Sequence, residues 1–127
     1  MGISLNRLKD SLPLKYDLFI HQRNNSIETD MSKLLSNNEV NEKINMLSKN
    51  WSIDGLFLKG SYEFKNFDQA FNFMKVVAVK CEEMNHHPKW TNVYNKLNIE
   101  LYTHDLGGIT NKDFELSIFM DKEFKKF

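Results

Sequence analysis

The chain has 127 residues, the size of one domain, and its 41% hydrophobic content with ten Phe and two Trp can fill a core. Lys plus Arg and Asp plus Glu number 17 each, so the formal net charge is zero, which removes the electrostatic case for a broad nucleic-acid surface. No stretch has the length and apolarity of a membrane span, and the lone Cys81 cannot form an internal disulfide, so the expectation is a protein of a reducing, cytoplasmic compartment without a membrane partner.

Residues 1–30 read as an N-terminal extension, partly disordered, ahead of a domain over 31–127. Ile3, Leu5, Leu8 and Leu12 allow a short amphipathic helix over 3–12 that Pro13 ends, and a polar run follows from His21 to Asp30. Ser36-Asn37-Asn38-Glu39 has the spacing of a capping box and opens a first helix, in which Val40, Ile44 and Leu47 recur at helical spacing as far as Asn50.

Trp51 to Phe64 reads as two strands joined at Asp54-Gly55, with Gly60 marking a bulge. Asn66 caps a long helix from Phe67 to Met84. Its wide apolar stripe holds Phe67, Ala70, Phe71, Met74, Val77, Ala78, Cys81 and Met84, broadened by Phe73 and Val76. Pro88 bars its continuation. Val93 to Thr103 reads as two further strands with a break at Asn95-Lys96, and Leu97, Ile99 and Leu101 share one face. Gly107-Gly108 makes a turn. Thr110 caps the last helix with Asp113 in the usual Glu position, and Phe114, Ile118 and Met120 or Phe119 supply its buried face. The order helix, two strands, helix, two strands, helix predicts an α+β fold: a four-stranded antiparallel sheet with three α-helices on one face.

Three of the four histidines, His86, His87 and His104, lie within nineteen residues. Histidine alone has an unperturbed pKa near neutrality. Both sites fall at ends of elements, where rigid scaffolds commonly present functional groups. Three explanations stand. The imidazoles are surface groups, one of them interacting with a helix dipole. They are zinc ligands, with His86, His104 and Asp105 or Glu82, although the spacing matches no standard zinc pattern. Or they are metal-free general acids and bases.

The run Glu82-Glu83-Met84-Asn85-His86-His87-Pro88, then Tyr94, Thr103-His104-Asp105 and Asp113, resembles the pterin-4a-carbinolamine dehydratases in an unusual set of residues at several fixed spacings. The likeness covers about residues 34–124 and leaves the extension outside. Asn85 stands where many members carry Asp. The resemblance implies the same sheet-and-helix fold, in a homodimer or homotetramer. It also implies loss of water from a 4a-hydroxy-tetrahydropterin to give a quinonoid dihydropterin, as in tetrahydrobiopterin recycling, with no cofactor and no metal.

By the same resemblance, His86 and His104 are the acids and His87 binds substrate, while Pro88, Thr103, Asp105 and Leu106 line the pterin. Glu82, one helical turn before His86, would orient that imidazole. Asp113 would orient His104 or cap the last helix. Trp51 would close over the ligand or pack in the core. Cys81 is structural. An alternative class is a protein-interaction role, a coactivator-like dimerisation cofactor using the apolar helix face; fold alone does not decide between the two.

Overall fold

The computed structural model describes residues 31 and 33–127; the extension and its expected helix over 3–12 lie outside the described residues. The capping box forms as its spacing predicts. Ser36 Oγ accepts the Glu39 N–H at 3.1 Å, and Glu39 Oε1 accepts the Ser36 N–H at 2.9 Å. Those bonds hold the Glu39 carboxyl below the usual carboxylate range. Helix α1 (Asn37–Lys43) then tightens into a 3-10 turn at Ile44–Met46 and stops at Leu47, short of the expected Asn50.

Strands β1 (Trp51–Asp54) and β2 (Phe57–Glu63) form an antiparallel hairpin. Its two-residue loop is Gly55-Leu56, one position later than expected. Gly55 takes φ +59, the positive value that the first central residue of a hairpin turn requires. Asp54 stays in the ladder opposite Phe57 and pairs with Lys59 at 2.9 Å. Gly60 makes no bulge: it pairs in register with Trp51 on one side and Ile99 on the other. It is glycine because the Trp51 indole lies on it, and a Cβ there would fall 2.6 Å from a ring carbon.

Helix α2 (Phe67–Met84) starts where Asn66 Oδ1 accepts the Gln69 N–H at 2.9 Å. Its buried face is Ala70, Phe73, Val77 and Cys81, with Met74 and Met84 on the shoulders. The expected stripe therefore divides. Phe73 lies at its centre, whereas Phe67, Phe71 and Ala78 face outward. A stripe that wide exceeds the arc one sheet face can cover. The exposed Phe67 and Phe71 rings stack at 5.6 Å, with the Lys75 ammonium 5.7 Å from the Phe71 ring centre.

Strand β3 (Lys89–Val93) begins directly after Pro88, earlier than the expected Val93, and β4 (Lys96–Leu101) follows a Tyr94-Asn95 turn with Tyr94 at φ +50. The strand order is β1-β2-β4-β3, all antiparallel. One sheet face carries Trp51, Leu58, Tyr62, Leu97, Ile99 and Leu101 into the core. The other carries Ser52, Ser61, Thr91 and Asn98, all exposed. Helix α3 (Asn111–Phe124) buries Phe114, Leu116 and Met120, while Ile118, expected inside, is 39% exposed. Val40 of α1 joins the same core cluster, so the three helices lie on one face of the sheet. Among the described residues no helix is long and apolar enough to cross a membrane.

Asp121 of α3 stitches that layer to the sheet. Its Oδ1 accepts from Tyr62 Oη at 2.6 Å, the Trp51 indole N–H at 3.1 Å and Ser48 Oγ at 2.7 Å, and its Oδ2 accepts the Ser48 N–H at 2.7 Å. Burial, reinforced by this carboxylate, pushes the Tyr62 hydroxyl far above the usual tyrosine range. Trp51 is thus a core residue with its N–H satisfied, not a cover for a ligand.

Candidate active site

The end of α2 decides where two of the histidines go. Asn85 adopts a left-handed conformation (φ 51, ψ 46), which short polar side chains tolerate. The His86 N–H bonds back to the Cys81 carbonyl at 3.0 Å and the Asn85 N–H to the Glu82 carbonyl at 3.2 Å. This reversal turns His86 inward, where it is 8% exposed, and leaves His87 on the surface.

His86 meets Asp113. Its Nε2 lies 2.6 Å from Asp113 Oδ1, and the carboxylate is fully buried. Oδ2 of the same carboxylate accepts the Thr110 N–H and the Thr103 hydroxyl, each at 2.9 Å. Thr103 thereby spends its only proton, so at the 2.8 Å contact between the two threonines it is Thr110 that donates. Thr110 Oγ1 in turn accepts the Lys112 N–H at 3.2 Å. Oδ2 of Asp113 thus takes two donors, while Oδ1 faces the His86 ring. An ionised Asp113 requires Nε2 of His86 to carry a proton. The remaining nitrogen, Nδ1, has no hydrogen-bond partner among the described residues and is not sealed from solvent.

Each carboxylate meets a different histidine from the one the sequence suggests. Glu82 pairs with His87, Oε2 to Nε2, and both side chains are exposed. Asp113 caps α3, as the Thr110 spacing predicts, and orients His86 rather than His104. A single helical turn separates Glu82 from His86, but the left-handed Asn85 carries His86 away from the helix surface on which Glu82 stands.

His104 begins a 3-10 turn (His104–Leu106) that Gly107 closes at φ +72, with Thr103 and Gly108 bridged beneath it. His104, Asp105 and Leu106 are exposed, and Thr103 is buried. Pro88 is half-buried, directly after His87. Asp113 contacts both His86 and Thr103, so it joins the segment that ends α2 to the segment that ends β4. Two groups escaped the sequence reading: the Thr103–Thr110 relay, and the Tyr102 ring, packed edge-to-face on His104 with centroids 5.0 Å apart. The first had a signal in Asp113, whose carboxylate is shorter than that of the usual capping Glu and so stays close to Thr110.

The zinc explanation finds no site: among the described residues no group of three or more His, Cys, Asp or Glu is placed to hold a metal ion. Cys81 is buried on α2, and that burial pushes its thiol up to about 11. What the arrangement offers is proton chemistry. One imidazole is fixed by a buried carboxylate with a ring nitrogen left over, and a second, exposed imidazole follows Thr103.

Residues 33–123 match the family model for pterin 4 alpha carbinolamine dehydratase. The chain belongs to the pterin-4a-carbinolamine dehydratase family. Among similar dehydratase-family proteins, one from Prochlorococcus marinus is 45% identical over 86 residues, covering 66% of this chain and 90% of its own. Another, from Solibacter usitatus, is 45% identical over 91 residues, 72% of this chain and 95% of its own. Both carry the pterin-4-alpha-carbinolamine dehydratase name provisionally. A crystal structure described as a transcriptional coactivator/pterin dehydratase from Brucella melitensis superposes with a TM-score of 0.61 at 36% identity, covering 72% of this chain and 95% of that one. The family's three-helix, four-stranded fold is the one described above.

Proposed function

We propose that this chain dehydrates a 4a-hydroxy-tetrahydropterin to the quinonoid dihydropterin by histidine acid–base catalysis without a metal or cofactor. The observation that carries the reading is the buried His86–Asp113 pair, 2.6 Å apart, joined through Thr103 to the segment bearing His104. Hydroxide leaves poorly, so the C4a oxygen must be protonated as its bond to carbon breaks. The N5 lone pair closes the C4a–N5 double bond, the oxygen departs as water, and the N5 proton then goes to a base. Asp113 stabilises the imidazolium of His86 and holds Nε2–H, which leaves Nδ1–H as the proton delivered to the leaving oxygen. His104 serves the opposite face of the ring. His87 and Pro88, with Asp105 and Leu106, hold the flat pterin. Tetrahydrobiopterin recycling is the setting this reading assigns, with the chain working as a homodimer or homotetramer.

Dehydration of freshly generated 4a-hydroxy-tetrahydropterin, followed by ultraviolet absorbance against the spontaneous rate with chelator present, tests it. Acceleration that survives chelator and falls at least about tenfold in His86→Ala and His104→Ala is expected. A folded wild-type chain that leaves the spontaneous rate unchanged removes the enzyme reading. A protein-interaction role then takes its place, favoured by the 47% and 45% exposure of Phe67 and Phe71 on α2.

A further inference from the structure

Each histidine of the site is restrained differently. His86 is held by Asp113 and His87 by Glu82. His104 has no side-chain hydrogen bond among the described residues, and its recorded restraint there is the ring of Tyr102. Thr103 is extended (φ −98, ψ 100), so residues 102 and 104 project to the same side while Thr103 points inward to Asp113. The two rings stand at 82° with centroids 5.0 Å apart, an edge-to-face contact. Tyr102 is itself supported: the Phe57 ring of β2 lies 5.0 Å away at 34°. Phe57, Tyr102 and His104 thus form a continuous row of three rings.

We infer that Tyr102, backed by Phe57, is the positioning residue for His104, taking through aromatic packing the part that Asp113 takes for His86. This rests on the dehydratase reading for its consequence in catalysis, but not for the geometry. An exposed imidazole without a hydrogen-bonded partner samples several rotamers, and only some of them face the reacting oxygen. The edge-to-face contact selects among them. The ring, not the hydroxyl, does this work, since no hydrogen bond joins the Tyr102 hydroxyl to His104.

The test has two arms on the full chain. In the first, the carbon-bound ring protons of His104 are followed by NMR in wild type, Tyr102→Phe, Tyr102→Ala and Phe57→Ala. Ring-current shifts should persist in Tyr102→Phe, collapse in Tyr102→Ala and weaken in Phe57→Ala. Unchanged His104 resonances in a folded Tyr102→Ala would overturn the inference, and this arm holds even for a chain that dehydrates nothing. In the second, kcat is measured in the same variants with and without His104→Ala. Tyr102→Ala should lower kcat roughly tenfold with KM little changed, Tyr102→Phe should restore it, and Tyr102→Ala should add nothing once His104 is gone. An equal loss in the His104→Ala background would show that Tyr102 acts through the fold, and would also overturn it.

Discussion

His86 and Asp113 are 27 positions apart in sequence, and their side chains meet at 2.6 Å inside the protein. Asp113 belongs to the cap of α3 and His86 to the exit of α2, so one carboxylate both closes a helix end and fixes the tautomer of an imidazole. Replacing it by Asn turns one acceptor oxygen into a donor among groups that all donate. Asp113→Asn should lower the dehydration kcat by at least about tenfold and stability by about 1–3 kcal/mol. Asp113→Ala should be worse for stability, at about 3–5 kcal/mol, because the Thr103 hydroxyl, the Thr110 N–H and His86 all lose their partner. Urea melts beside the kinetic assay check both.

The exposed Glu82–His87 pair should behave in the opposite way. Both partners are in water, so Glu82→Gln should shift stability by no more than about 0.5 kcal/mol. If His87 holds the pterin, KM should rise with kcat nearly unchanged, which steady-state kinetics at several substrate concentrations would show.

Gly60→Ala should destabilise without touching the chemistry. The new methyl would sit 2.6 Å from a Trp51 ring that Tyr62 and Asp121 hold in place, so the hairpin must give way. A loss of about 1–3 kcal/mol is expected, with native kcat in the fraction that remains folded. Wild-type stability in this variant would show that the indole can move.

Stability should decline on the alkaline side. The Cys81 thiol rises from 9.0 in the open chain to about 11 in the fold, because burial penalises the thiolate. Above pH 9 the unfolded chain therefore releases a proton that the folded chain retains, so the stability present below pH 9 is lost as pH rises toward 11. Tyr62, raised for the same reason, acts with the same sign above its ordinary value of 10.0. Urea midpoints should fall between pH 8 and 11, less steeply in Cys81→Ala. A midpoint flat over that range would contradict the assignment.

Local signals in the sequence were reliable. The Ser36 and Thr110 capping boxes, the Asn66 cap and the alternation along β4 all appear where the sequence puts them. Each depends on residues within one or two turns of each other. What failed was rotation and reach. The stripe on α2 does not say which arc faces the sheet, and Phe67, Phe71 and Ala78 fall on the outward arc. Gly60 suggested a bulge because its cause, the Trp51 ring, sits on another strand. At the candidate site, the sequence shows three histidines close in number, and nearness along the chain suggests the wrong carboxylate for two of them. The backbone turn at Asn85 leaves Glu82 to His87, and the fold between residues 86 and 113 brings Asp113 to His86.

The Asp121 contacts carry a consequence for synthesis. Trp51 and Tyr62 emerge from the ribosome well before Asp121, whose carboxylate accepts from both. The first hairpin can pair early and join its indole N–H to the Tyr62 hydroxyl, yet that hydroxyl has no acceptor for its own proton until α3 arrives. Asp113, on the same helix, reaches His86 no sooner. A nascent chain cut short before α3 would hold all three histidines without the carboxylate that orders the first of them, so closure of the core and ordering of His86 depend on the same helix.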